Sequence, residues 1–297
     1  MISLISAEML KIRKRRASWI MFGILLAFLA FFLMGIRPII AADDGRNSVE
    51  FQLANLVMRF PAGFGILVRM VSEMGQFILI VFAGLVVGSE YGWGTVRQVM
   101  ARGASRNRYL AAKLAAILVS IVMGIILAMI VGTGFMLIGD VLVDSFDPKI
   151  PAGFAGDLAG DTLRTLGVLV VFAGLAFCIA ILTRSVAGGL GLGLGWIFVE
   201  IICTGIFPLF GRIWRDISGY FLTNLSSSLM AANQLDVGQF FGDGGGGGDD
   251  GGPGGGGGRP VFDVEPLTAG LLLALYLVIL LAISVWVFNR RDITAGG

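Results

Sequence analysis

Histidine is missing altogether from this 297-residue chain, and with it go Ser-His-Asp and Cys-His catalysis, His-ligated zinc and histidine proton relays. Cysteine is nearly missing. Cys178 and Cys203 both fall inside long apolar runs, so no disulfide framework is implied and both read as small packing residues. Charge is sparse, at 14% of residues, and none of the four lysines follows glycine in a G-x-x-x-x-G-K-[ST] loop. The chain therefore carries no nucleotide-binding P-loop of its own. What is there instead is hydrocarbon: 56% hydrophobic residues and a mean hydropathy of +0.88 lie far outside the range of soluble domains.

An all-α polytopic membrane protein follows. A hydrocarbon core about 30 Å thick takes roughly 20 apolar residues per helical span. Six segments approach that length: 17–36, 74–89, 114–139, 165–183, 186–210 and 267–288. The second has 16 residues between Glu73 and Glu90, which predicts an upright helix, a thinned bilayer or residues borrowed from its flanks. The first apolar stretch exceeds the roughly 7–15 residues of a signal-peptide h-region, so it reads as an uncleaved span despite Ala41 and Ala42 ahead of Asp43.

Lysine and arginine set the expected topology, because positively charged loops stay cytoplasmic. Lys11, Arg13, Lys14, Arg15 and Arg16 precede the first span; Arg97, Arg102, Arg106, Arg108 and Lys113 lie between the second and third. Arg184 marks a tight turn after the fourth span, and Arg290 and Arg291 follow the sixth. Six spans then place both termini in the cytoplasm of a cell-membrane protein. The opposite loops are acidic, with Asp43, Asp140, Asp157 and Asp161 among their charges, so the net charge of +2 hides a basic inside and an acidic outside.

Residues 1–16 place Ile5, Met9 and Ile12 at helical spacing, with Glu8, Lys11, Lys14 and Arg15 largely on other faces. Such a helix lies in the interface, apolar side in lipid and basic side toward anionic headgroups, or else extends the first span into the cytosol. Trp19 suits either as an interfacial anchor. Outside, Asn47 with Glu50 has capping-box character ahead of Phe51, Leu53 and Leu56, and predicts a short surface helix before Pro61. The stretch 242–259 is low-complexity glycine and aspartate and predicts a flexible extracytoplasmic tether. It lacks the nonapeptide register of calcium-binding repeats.

Between spans two and three, 90–113 reads EYGWGTVRQVMARGASRNRYLAAK. Glu90 to Gly94 ends the second span. Thr95 is a good N-cap for a short helix from Val96 to Arg102, with Gly103 at its C′ position and Ser105 capping the next helix. Val96, Val99 and Met100 form an apolar edge beside charged Arg97 and Arg102, a surface suited to docking in a partner's groove. On these grounds alone, a well-capped basic loop that merely enforces topology accounts equally for the pattern.

Glu90, Gly94, Thr95, Arg97, Ser105, Arg106 and Lys113 resemble the cytoplasmic signature of ABC-2-type transporter permeases, of the bacitracin-type and copper-maturation-type six-span branch. Glu8-x-x-Lys11 with its basic run and Trp19 is similar to the interfacial helix that precedes span one in that family. Two features depart from the pattern: Gly103 stands where many relatives have proline, and the glycine insert has no counterpart. The resemblance implies that 1–297 is one transmembrane permease domain and not itself an enzyme, with 90–113 as the ATPase-coupling segment. It also implies a separate ABC ATPase subunit that binds ATP and magnesium, a second permease copy, identical or related, and cargo that is mostly exported. Nucleic acid is not an expected partner.

Glu200 lies well inside the fifth span, where a carboxylate is expensive unless it faces a cavity, finds a partner or is protonated. It is a candidate for the translocation path and equally for an interhelical hydrogen bond. In a second functional class the chain is an ion- or proton-coupled secondary transporter using Glu200, which predicts transport without ATP. A membrane-embedded enzyme is the third class, and the chain offers it no paired catalytic motif. Gly84, Gly88, Gly189, Gly191, Gly193 and Gly195 are expected to let helices approach closely, and Pro208 to kink or end span five.

Overall fold

A computed structural model describes residues 2–35, 59–101, 103, 105–142, 150, 152–233, 235 and 264–290. The surface helix expected from Asn47 onward lies, but for Phe60, outside the described residues, as do Arg102 and the insert over 242–259. Ten α-helices appear among the described residues, and no strand. They are α1 (Ile2–Lys14), α2 (Arg16–Ala30), α3 (Phe64–Gly92), α4 (Thr95–Ala101) and α5 (Arg106–Leu142). Then come α6 (Phe154–Thr183), α7 (Val186–Ile206), α8 (Arg212–Ser218), α9 (Leu222–Met230) and α10 (Pro266–Arg290). A π-helical turn, Phe31–Gly35, prolongs α2. A 3₁₀ turn, Phe207–Phe210, ends α7 where Pro208 removes a backbone donor.

Six of these helices are long and apolar enough to cross a membrane: α2, α3, α5, α6, α7 and α10. These helices run beyond the apolar runs that mark them. The second takes up residues from its flanks, one of the three expected solutions to its 16-residue apolar run: α3 runs for 29 residues. Glu73, which bounds the apolar run, pairs with Arg69 at 3.1 Å one turn earlier on the exposed surface, so the helix carries these charges without ending. Likewise α5 and α6 outrun 114–139 and 165–183. Asp140, Asp157 and Asp161 thus sit on helices rather than in an acidic loop. The Asp140 carboxylate accepts from the Phe60 amide at 3.0 Å, and Asp161 holds Arg164 at 2.8 Å and the Leu235 amide at 3.0 Å. An apolar run marks the hydrocarbon thickness, whereas a helix ends where its backbone partners end.

The interior helix is α6. Of its most apolar 18 residues 72% are buried, against 17% for α2 and for α7, so α6 forms the core and the other two face outward. α3, α7 and α10 pack around it. Without a hydrophobic driving force between helices in lipid, close approach through small residues carries the packing. A Cβ on Gly84 would stand 3.2 Å from the backbone carbon of Gly189, and one on Gly193 would stand 2.7 Å from Ile80. Gly191 and Gly195 meet nothing within 4 Å, because at helical pitch they lie on the opposite side of α7. The glycine run therefore packs on one face only.

α6 and α7 are joined by Arg184, in the left-handed region at φ 52°, and Ser185, whose hydroxyl accepts from the Gly188 amide at 2.9 Å. Both cysteines are free, and Cys178 is buried in the core.

Candidate functional site

The end of α3, the start of α5 and the middle of α1 meet around four charges. Glu90 is 1% exposed, Lys113 3% and Glu8 5%. Lys113 Nζ lies 2.9 Å from Glu90 Oε2 and 3.2 Å from Glu8 Oε2. Lys11 Nζ closes the ring, 2.5 Å from Glu8 Oε1 and 3.1 Å from Glu90 Oε1. The Tyr109 hydroxyl donates to Glu90 from one turn before Lys113. Two anions and two cations alternate, so the buried set is neutral as a whole. Burial opposes the charge on Lys11, but hydrogen bonding and attraction from Glu8 and Glu90 outweigh it and hold its pKa above the ordinary lysine value.

Such a ring is a mechanical element. Pulling α3 or α5 away leaves a buried charge uncompensated, at about 3–5 kcal/mol, whereas α1 carries Glu8 and Lys11 together as a pair. The end of α3 and the start of α5 are therefore the most firmly tied, with α1 bridged to both. α10 is attached too: the Tyr109 ring stacks on Phe288 with centroids 6.0 Å apart. Arg106 donates to the carbonyls of Phe288 at 3.3 Å and Asn289 at 2.7 Å, in the last turn of the described α10, where a cation is favoured. At the elbow between α1 and α2, Arg15 donates to Ser89 Oγ at 2.8 Å and stacks over Trp93 at 4.9 Å.

Directly beyond the ring comes α4, bracketed by Gly94 and Gly103 at φ 65° and 86°, positions where a side chain would be strained. Thr95 does not cap it. Its hydroxyl donates back to the Glu90 carbonyl at 3.2 Å, and the Gly94 carbonyl accepts the first helical bond, so Gly94 is the cap residue. Gly103 follows the helix as expected, and the Ser105 carbonyl accepts from the Tyr109 amide to open α5. The apolar edge is corrected as well. Val96 is 3% exposed, and Val99 and Met100 pack on the protein's own core, because a seven-residue helix has no other means of holding its position. The face left outward holds Arg97 and Gln98, with Trp93 beside it at 64% exposed.

α1 departs from expectation in the same manner. Glu8 and Lys11 turn into the bundle, not toward headgroups, because Glu90 and Lys113 wait there. Glu200 has its carboxylate fully engaged: Oε1 accepts from Trp196 Nε1 at 2.7 Å and the Leu222 amide at 3.1 Å, and Oε2 accepts from the Thr223 amide at 2.9 Å. Those two amides open α9, so Glu200 caps a helix remote in sequence.

Sequence reasoning named Glu90 and missed that Glu8, Lys11, Tyr109 and Lys113 close upon it. The signal was a lysine inside LAAKLAA and a Glu-x-x-Lys pair in a helix otherwise rich in isoleucine and leucine.

A profile described as ABC-2 family transporter protein matches residues 4–200, about two-thirds of the chain. The chain belongs to the ABC-2 transporter family. It is a permease component of an ABC transporter, and its family implies an ABC ATPase as partner and a multi-pass place in a membrane. No curated protein matches the chain. The matched stretch of the permease includes the whole charge ring and α4, while α10, which Arg106 grips, lies beyond it.

Proposed function

We propose that this permease, with a second copy of itself or a related permease, exports cargo across the cell membrane when α4 is pushed by a separate ATPase that binds ATP and magnesium. α4 projects into the cytoplasm in this reading, as do both termini. Its outward face, with Arg97, Gln98 and neighbouring Trp93, receives the ATPase. The stroke passes through Glu90 into α1, α3, α5 and α10, and the bundle rocks between inward and outward access. The observation that carries the reading is the neutral buried ring at the root of a short, glycine-bracketed helix. It makes a soft hinge adjoin a stiff body.

Arg97→Glu tests it. The variant should insert and purify as the parent does, yet lose binding of the ATPase or the link between ATP hydrolysis and transport. Arg106 is a poor choice for the same test, since its guanidinium also holds the end of α10. Unchanged coupling in Arg97→Glu, or full-rate transport by the permease without any ATPase, overturns the proposal.

A further inference from the structure

A cavity of about 640 Å³ opens between α1 and α2 on one side and α3, α5 and α6 on the other. That is within the range of about 300–1,000 Å³ typical of ligand pockets. Its depth is hydrocarbon, with Leu25, Val71, Ile125 and Leu169 in the wall, and its polar lining includes Arg13 and Ser18. Trp19 also lines it, 61% exposed, its indole N–H bound to the Arg13 carbonyl at 2.8 Å. Such an aromatic suits the level of lipid headgroups.

The charges at that end are uneven in their use. Lys11 and Arg15 point into the protein and are paired there. Arg13, Lys14 and Arg16 are exposed, and none of their side chains has a partner among the described residues. An apolar chamber with Arg13 in its wall, and with exposed Lys14 and Arg16 next along the chain, calls for a hydrocarbon tail joined to an anion.

We propose that this chamber is a binding site for an anionic phospholipid from the leaflet against which α1 lies, one acyl tail between α1–α2 and the bundle and the phosphate among Arg13, Lys14 and Arg16. The site shares α1 with the charge ring: Met9 and Ile12 line the chamber while Glu8 and Lys11 belong to the ring. A bound lipid thus wedges the helix that the ring grips from its other side. This inference needs the membrane setting alone and stands whether or not α4 receives an ATPase.

Gly124 lines the chamber, and a Cβ built on it meets nothing within 4 Å. Ser120, one turn earlier on α5, lines it too. The full chain, purified in detergent, is titrated with phosphatidylglycerol or phosphatidylcholine, and bound phospholipid is counted by native mass spectrometry. The parent should hold one phosphatidylglycerol in preference to phosphatidylcholine. Gly124→Phe with Ser120→Leu should lower occupancy at least tenfold, an effect of filling space that a headgroup change cannot mimic. Arg13→Gln, Lys14→Gln and Arg16→Gln should each weaken phosphatidylglycerol by about fivefold and leave phosphatidylcholine unaltered. If the filled variant fails to fold, Gly124→Leu and the three glutamine variants decide the question. Equal binding of the two lipids by the parent, or full occupancy in a folded filled variant, overturns the proposal.

Discussion

Glu90→Gln should be the most damaging conservative change in this protein. The carboxylate is 1% exposed and faces Lys113, Lys11 and the Tyr109 hydroxyl. An amide of the same size keeps the packing and at most one acceptor, and leaves the ring with two cations against one anion. Removing one member of a buried pair costs about 3–5 kcal/mol, most of it the penalty of the stranded partner. Lys113→Met should cost about as much for the opposite sign. The double variant leaves Glu8 with Lys11 at 2.5 Å and is neutral again, so its loss should fall short of the sum by about 2–3 kcal/mol. Lys11→Met should matter less, about 1 kcal/mol, since that side chain is 37% exposed. Equilibrium unfolding in mixed detergent micelles, followed by far-ultraviolet circular dichroism, measures all four. Strict additivity, or a loss below about 1 kcal/mol for Glu90→Gln, as for a surface pair, would refute the reasoning.

Further expectations concern packing, capping and pH. Gly84→Ala pushes a methyl group to 3.2 Å from the Gly189 backbone and should cost about 1–3 kcal/mol, whereas Gly191→Ala meets nothing and should gain up to about 1 kcal/mol in the same unfolding assay. Glu200→Ala strands the Leu222 and Thr223 amides and should cost about 1–2 kcal/mol, with increased hydrogen exchange confined to α9. Lys11 has a raised pKa, so its stabilising charge is complete below the ordinary value of 10.5 and fades only as pH rises through the higher folded value. The stability difference between the parent and Lys11→Met should therefore be the same at pH 7 and pH 9.

Six spans could be read from hydropathy because lipid imposes one rule, apolar length, on every crossing segment. Their ends could not, because Arg69, Glu73, Asp140 and Asp161 sit on helices that continue past the apolar runs. The position of α4 was legible from its bracketing glycines, yet its facing was not: Val96, Val99 and Met100 look the same in sequence whether they greet a partner or the protein's own core. Nor does a list of basic residues separate Lys11, Arg15 and Arg106, which hold helices together, from Arg13, Lys14 and Arg16, which stay exposed. Long-range pairing of charges 79 and 105 residues apart is a property of the packed bundle.

In the proposed mechanism a push on α4 travels through Glu90 into the whole bundle. Spin labels at Gln98 on α4 and Leu271 near the start of α10, both exposed, report it in a chain carrying Cys178→Ala and Cys203→Ala. Pulsed electron–electron resonance, with the permease and its ATPase reconstituted together, should show the distance distribution shift when ATP is trapped. The shift should be absent without the ATPase and lost in Glu90→Gln. The same shift in Glu90→Gln as in the parent would show that the stroke does not pass through the ring.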